Sequence, residues 1–407
     1  LHSGTSCWSK RGLPGELDKV RTGLDLMTSG WPSRLKDSRV GLLVHPASVT
    51  TSFVHAVDVC SKSRAFRLTA LFGPQHGIRG QTQDNMVEWE GFRDEETGLP
   101  VYSLYGKTRK PDRGMLRDID AMVIDLQDVG ARYYTFIWTM ALVMEACMEM
   151  HVPVVVSDRP NPVSGHLTEG PVSQPEYRSF VGLHPLPVRH GMTIGEIASY
   201  MKDRFYPSAN LHVIRMRGWR RDMWFEDTRL PWVFPSPNIP TVDTALVYPG
   251  MCLLEGTNMS EGRGTTRPFE IFGAPYVHPP ALVRHLAGFR LPGVCFRPLY
   301  FLPSFQKYSG RLCGGAQLHI TERKRFKPFR TAVAILKTAY DLYPREFAWK
   351  EPPYEYEDTL LPIDILAGSD RLRKDIEKGA GLKDMELWWT EEMREFNRKI
   401  RKKYLLY

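Results

Sequence analysis

Residues 72–89 read Phe-Gly-Pro-Gln-His-Gly-Ile-Arg-Gly-Gln-Thr-Gln-Asp-Asn-Met-Val-Glu-Trp. His76, Arg79, Asp84, Asn85 and Glu88 lie among glycines and a proline that interrupt regular structure, so this is a polar loop. Four more runs have the same character. Asp125-Leu-Gln-Asp128-Val-Gly-Ala-Arg132-Tyr-Tyr134 places a carboxylate, a guanidinium and a phenol together. Asp158-Arg-Pro-Asn161-Pro offers acceptors and an amide to a hydroxyl-rich ligand. Glu169-Gly-Pro is followed by Pro187-Val-Arg-His190-Gly, and His190 stands just before a helix start. Residues 255–270 hold three acids, two arginines and three glycines within sixteen positions, among them Asn258, Glu261 and Arg263. Asp128 with Arg132 reads as an ion pair that orients either a substrate or the turn itself.

This inventory of carboxylates, arginines, amides, tyrosines and histidines, with ten tryptophans, is that of a carbohydrate site. Glycoside hydrolysis needs one protonated carboxyl to donate to the leaving oxygen and a second carboxylate. Other chemistries lack their signatures. The six cysteines are far apart with no Cys-x-x-Cys, and there is no His-x-x-x-His or aspartate-rich loop, so no metal is expected. Neither Gly-x-Ser-x-Gly nor Gly-x-Gly-x-x-Gly occurs where a serine hydrolase or dinucleotide enzyme needs it. The net charge of +8 favours an anionic polymer through steering, but no basic-aromatic module marks a nucleic-acid binder. The basic cluster of Arg394, Arg398, Lys399, Arg401, Lys402 and Lys403 reads as a solvated helix face. No apolar run of about 18 residues exists to span a membrane.

The elements that position these runs follow from periodicity. Short apolar stretches at 39–45, 68–72, 99–105, 120–126, 152–157 and 211–216 read as strands. They alternate with helical patterns, among them 136–150, apolar nearly all round, and 193–205, opened by a Thr193/Glu196 capping box. Ser48–Ser52 could cap a helix reaching Val57. This alternation predicts an α/β fold, a Rossmann-like parallel sheet domain with a second, smaller α+β domain. The expected division is a tail at 1–20, the sheet domain at 21–240 and the smaller domain at 241–407. Five prolines across 231–249 mark an extended crossing between the two. Beyond it, 294–302 and 317–321 read as strands and 329–343 as an amphipathic helix.

The same runs carry a family resemblance. Phe72-Gly-Pro-x-His76-Gly, the stretch from Thr97 to Gly106, Asp128-Val-Gly-Ala-Arg132, Asp158-Arg-Pro-Asn-Pro162, Arg189-His-Gly-Met192 and the run from Glu255 to Arg267-Pro resemble the bacterial NamZ-type exo-β-N-acetylmuramidases. The resemblance implies a cleft between two domains. It also implies release of terminal N-acetylmuramic acid, or a related amino sugar, from peptidoglycan-derived glycan or muropeptide, no cofactor, and a periplasmic or secreted setting, with a cytoplasmic one left open. Relatives carry a glutamate where this chain has Gln75, and another, the proposed catalytic acid, where it reads Asp84-Asn85-Met86-Val87. Glutamine and asparagine cannot transfer a proton. On this reading the acid falls to Glu88 or Asp84, with Glu169 as second carboxylate and Tyr134 and His76 assisting. The sugar is held by Asn85, Asp128, Arg132, Asp158, Asn161, His190, Asn258, Glu261 and Arg263. The alternative is a non-catalytic glycan-binding protein that keeps the cleft.

Overall fold

The computed structural model describes residues 19–80, 82–83 and 87–407. Asp84, Asn85 and nearly all of the expected tail lie outside the described residues. Twelve strands are seen among them: β1 (Arg39–Leu43), β2 (Arg67–Gly73), β3 (Phe92–Arg93), β4 (Pro100–Ser103), β5 (Ala121–Ile124), β6 (Val154–Ser157), β7 (Glu169–Val172), β8 (Pro187–Arg189), β9 (Leu211–Ile214), β10 (Ile271–Ala274), β11 (Val294–Phe301) and β12 (Cys313–Ile320).

Seven of these form one sheet in the order β3-β4-β2-β1-β5-β6-β9, parallel except for the β3/β4 edge. Burial on both faces explains the nearly continuous apolar runs of β1, β5 and β6. Leu43 of β1 lies opposite both Phe72 of β2 and Ile124 of β5, and Ile124 opposite Val156 of β6. The central strands therefore end level. The loops after β2, β5 and β6 leave from one edge, where open α/β sheets place their ligand crevice. The helix Phe136–Glu149 is buried nearly all round. The helix Ile194–Arg204 starts at the expected capping box, with both reciprocal bonds made.

The second unit is an antiparallel sheet, β10-β12-β11, packed with the helices Pro279–Ala287 and Pro328–Leu342. Gly273 and Gly315 face each other in it. A Cβ on Gly315 would sit 1.8 Å from the Phe272 carbonyl oxygen, so only glycine permits that approach. The chain end returns to the first unit. The Tyr407 hydroxyl donates to Asp158 and accepts from the Met216 amide, and the Leu406 amide donates to Glu196.

Several expectations are corrected. Ser48 caps no helix: its hydroxyl donates to the Asp125 carbonyl and accepts from the His45 amide, and the helix starts later, at Ala56–Ser61 behind His55. The Pro-rich crossing is extended only to Pro240. Thr241 then caps a helix, Val242–Met251, which holds Pro249 in its last turn. Arg401 is not on a solvated face. It is buried and donates to the carbonyls of Gly165 and Gly191.

Candidate active site

A cavity lies beyond the carboxyl ends of β2 and β5, roofed by the second unit. It holds about 430 Å³ of non-atom space. Gln75 and His76 reach it from the loop after β2, Tyr134 and Thr135 from the loop after β5, and Ser236 and Asn238 from the crossing. Glu255, Arg263, Tyr354 and Glu355 close it from the other side.

Its polar groups form two sets. In the first, the Thr135 hydroxyl donates to Gln75 Oε1 at 2.8 Å, Gln75 Nε2 donates to the Tyr105 oxygen at 3.1 Å, and the Tyr105 hydroxyl donates to Glu355 Oε2 at 2.8 Å. Gln75 thus donates and accepts, which an ionised glutamate cannot do. Glu355 itself has a left-handed backbone, φ +45°, a strained setting of the kind found at functional sites. Burial pushes its carboxyl up to about 7, the Tyr105 hydrogen bond opposes this, and the nearby charge of Glu255 adds to it.

The second set surrounds Glu255. Arg263 Nη2 donates to its Oε1 at 2.6 Å and the Tyr354 hydroxyl to its Oε2 at 2.9 Å. Burial by itself would raise this carboxyl. The charge of Arg263, the Tyr354 hydrogen bond and the charge of Lys307 outweigh it, so Glu255 lies below its ordinary range. Two glutamates in one cavity are thereby driven apart, one held ionised and one brought to lose its proton only near neutrality. Such a divergence separates acid and base roles.

The residues expected from sequence divide. His76, Tyr134 and Arg263 line the cavity. His76 has φ +71° and its Nδ1 donates to the Thr82 carbonyl. Glu261 stands behind the wall, 3.4 Å from Arg263 and 3.0 Å from Lys307. Asn258 braces the fold instead: its amide donates to the Glu346 carbonyl, and its oxygen accepts from the Tyr276 hydroxyl and the Ala348 amide. Glu88 does not line the cavity; it is exposed in a separate groove.

Arg132 and Asp128 are not an ion pair. Arg132 is fully buried and donates to the carbonyls of Pro171, Leu186 and Leu366, leaving no guanidinium edge for a ligand. Asp128 accepts from the Gly130 amide and lies 3.2 Å from His190 Nε2, both side chains being buried. Asp158 is taken up by the Thr193 hydroxyl, the Gly195 amide and Tyr407, at the start of the helix Ile194–Arg204. Asn161 folds its own turn through the Val163 amide and the Met192 carbonyl. Glu169 accepts from the amides of Phe329 and Arg330 at the start of the helix Pro328–Leu342 and does not line the cavity. A carboxylate at a helix start satisfies otherwise unpaired amides. Tyr105, Thr135, Tyr354 and Glu355 join the site without having been among its expected residues. An acid between two tyrosines just after Pro352-Pro353 was the available signal for Glu355. Among the described residues no cluster of His, Cys, Asp or Glu has the arrangement to hold a metal ion.

Two family models match in tandem: "Exo-beta-N-acetylmuramidase NamZ, N-terminal" over residues 40–243 and the corresponding C-terminal model over residues 246–407. The chain belongs to the NamZ family. It is 47% identical over 389 residues to the peptidoglycan β-N-acetylmuramidase NamZ of Bacillus subtilis strain 168, covering 96% of this chain and 92% of that one. Two solved DUF1343 family proteins of Bacteroides fragilis NCTC 9343 share the architecture. One superposes with TM-score 0.84 at 34% identity, the other with 0.75 at 28%, each spanning 96% of this chain and 99% of its own. In this NamZ-family chain the tandem models meet at residues 243–246, within the helix Val242–Met251 whose Tyr248 lines the cavity. The cavity is therefore built from both matched regions.

Proposed function

We propose that this chain is an exo-β-N-acetylmuramidase, a glycosidase that removes N-acetylmuramic acid from the non-reducing end of peptidoglycan-derived chains. Family membership supports the substrate class. The glutamate pair supports the reaction type, and it is the observation that carries the mechanism. Glu355, protonated near neutrality, gives its proton to the glycosidic oxygen as the bond to C1 breaks. Positive charge builds on C1 and the ring oxygen, and the ionised Glu255 in the same cavity opposes it. Water adds to C1, and the proton it loses returns to Glu355. The Thr135–Gln75–Tyr105 chain fixes the Glu355 carboxyl against rotation. Arg263 holds Glu255 ionised, and His76 and Tyr134 complete the polar wall.

This assignment moves the acid from the loop at 84–88 to Glu355. Muropeptides are included as substrates where the stem peptide leaves the terminal sugar accessible. A periplasmic or secreted location accompanies a wall-derived substrate, and fractionation of the native host checks it.

The deciding assay incubates the protein with a chain headed by N-acetylmuramic acid and follows release of the free sugar. Release from such chains, with none from chains headed by N-acetylglucosamine, is the expected result. Binding without product after prolonged incubation refutes the enzyme reading and leaves a glycan-binding protein.

A further inference from the structure

Three helical segments end beside one another, and each ends in cations. Lys202 and Arg204 close the helix Ile194–Arg204, Arg398 and Lys399 close the helix Leu382–Lys399, and Lys402 and Lys403 follow in the turn Arg401–Lys403. Tyr404 ties them together. Its hydroxyl donates to Asp203, its ring packs 5.4 Å from that of Tyr200, and it feels the Arg204 charge. Tyr200 packs in turn on Phe396 of the longer helix. Cations at helix ends offset the carbonyl dipole, so part of this pattern serves the fold, as buried Arg401 does.

The excess of charge does not. Arg204, Arg398, Lys402 and Lys403 are exposed, and among the described residues none of the four makes an ion pair. The two carboxylates alongside, Asp203 bonded to Tyr404 and Glu395 paired with Lys399, leave an excess of four positive charges over the six cations of the three segment ends. Elsewhere on the surface arginines find acids, as Arg39 does with Asp118 and Asp120, and Arg323 with Glu226 and Asp243.

The patch continues as a stripe. Residues 404–407 run from Asp203 to Met216, whose amide donates to the Tyr407 hydroxyl. Those residue steps span at most about 11 Å. Arg215 and Arg217 flank Met216 and are exposed, and Arg217 pairs through its backbone with Arg21, which is exposed as well. Among the described residues these three arginines also make no ion pair. None of the cations of the stripe lines the cavity.

We infer that this stripe binds an extended polyanion, a polymer of phosphodiester-linked alcohols. Unpaired cations spread along a line suit a chain of charges rather than one small anion. Arginine forks match phosphate oxygens, and the gain from released counterions grows with each phosphate engaged. Insertion into a membrane needs an apolar face. Of the large apolar side chains exposed among the described residues, only Leu387 shares an element with the stripe, and it lies in the first half of its helix. Single-stranded nucleic acid needs free rings for its bases, whereas Tyr404 packs on Tyr200 and Tyr407 on Trp219. Where such a polymer accompanies the glycan, the stripe holds the protein beside its substrate while the cavity stays free.

The test measures binding of a synthetic poly(glycerol phosphate) to the whole chain at rising salt. With about six phosphates engaged, log K should fall against log salt with a slope of about −4. Arg204→Gln, Arg398→Gln, Lys402→Gln and Lys403→Gln together should bring the slope to about −1 and weaken binding about a hundredfold at 0.1 M salt. Arg215→Gln with Arg217→Gln, a second variant in case the first fails to fold, should lose about half as much of the slope. A control that removes four exposed cations elsewhere, Lys62, Arg64, Arg284 and Lys324, should stay within a few-fold of wild type. Binding is read without turnover, so a failure of the glycosidase reading would leave this result standing. Wild-type binding that does not weaken with salt overturns the inference, as does a control that loses as much as the stripe variants. Tighter binding to double-stranded DNA or to phosphatidylglycerol vesicles than to the polymer overturns it as well.

Discussion

Replacing Glu355 by glutamine separates the function of this carboxyl from its cost. The glutamine side chain keeps an oxygen to accept from Tyr105 but has no proton to give. With an acid held at about 7, about half of the wild-type enzyme is protonated at pH 7, against about 0.3% at the ordinary value of 4.5. Removing a general acid lowers the rate on a sugar leaving group by about 10²–10⁴. An activated aryl glycoside, whose leaving group needs little protonation, should lose much less. Stability should move the other way. Below about pH 4.5 the carboxyl is neutral whether folded or unfolded. Between that pH and about 7, the unfolded chain ionises first, so wild-type stability falls with rising pH. Above that the loss is complete, and the gap between the two values amounts to about 3 kcal/mol. The neutral amide of the variant carries no such penalty. Thermal unfolding should therefore show Glu355→Gln gaining on wild type as pH goes from about 4.5 to 8, by a few degrees. Full activity on the glycan, or a stability difference that stays flat with pH, would refute the assignment.

Tyr105→Phe removes the hydroxyl that holds the Glu355 carboxyl down, so the alkaline limb of kcat/KM should move to higher pH; an unmoved limb would mean that another group sets it. Arg132→Met strands three buried carbonyls, at about 1–3 kcal/mol for each unsatisfied group. Denaturant melts should show a large loss of stability, whereas a loss confined to KM would restore the sugar-binding reading of this arginine. Glu169→Gln should keep activity within a few-fold, because Glu169 caps a helix away from the cavity. A collapse of turnover in a well-folded variant would make it the second carboxylate after all.

The elements of the sheet unit were legible because each carries a local signal. Apolar runs such as the one at β5 have the length of a buried strand, and Thr193 and Glu196 stand at the spacing that closes a capping box. The hairpin β7/β8 and strand β10 carried no comparable pattern. Glu169-Gly-Pro-Val and Ile-Phe-Gly-Ala are four residues each, too short for alternation to show, and their pairing is set by partners distant in sequence.

The site was legible as chemistry but not as geometry. By itself, the sequence determined that polar loops follow apolar strands and that Gln75 cannot act as an acid, and it singled out His76, Tyr134 and Arg263, which line the cavity. Tertiary structure decided which charged side chains line the cavity and which are taken up by the protein itself. Arg132, Asp158 and Glu169 are as polar as any residue in the cavity, yet each is used up by backbone or side-chain partners that folding brings to it. Glu355 lies 250 positions from Tyr105, and its elevated proton affinity comes from burial beside Glu255. A residue's type is written in the chain, but its desolvation and its charged neighbours are properties of the space around it.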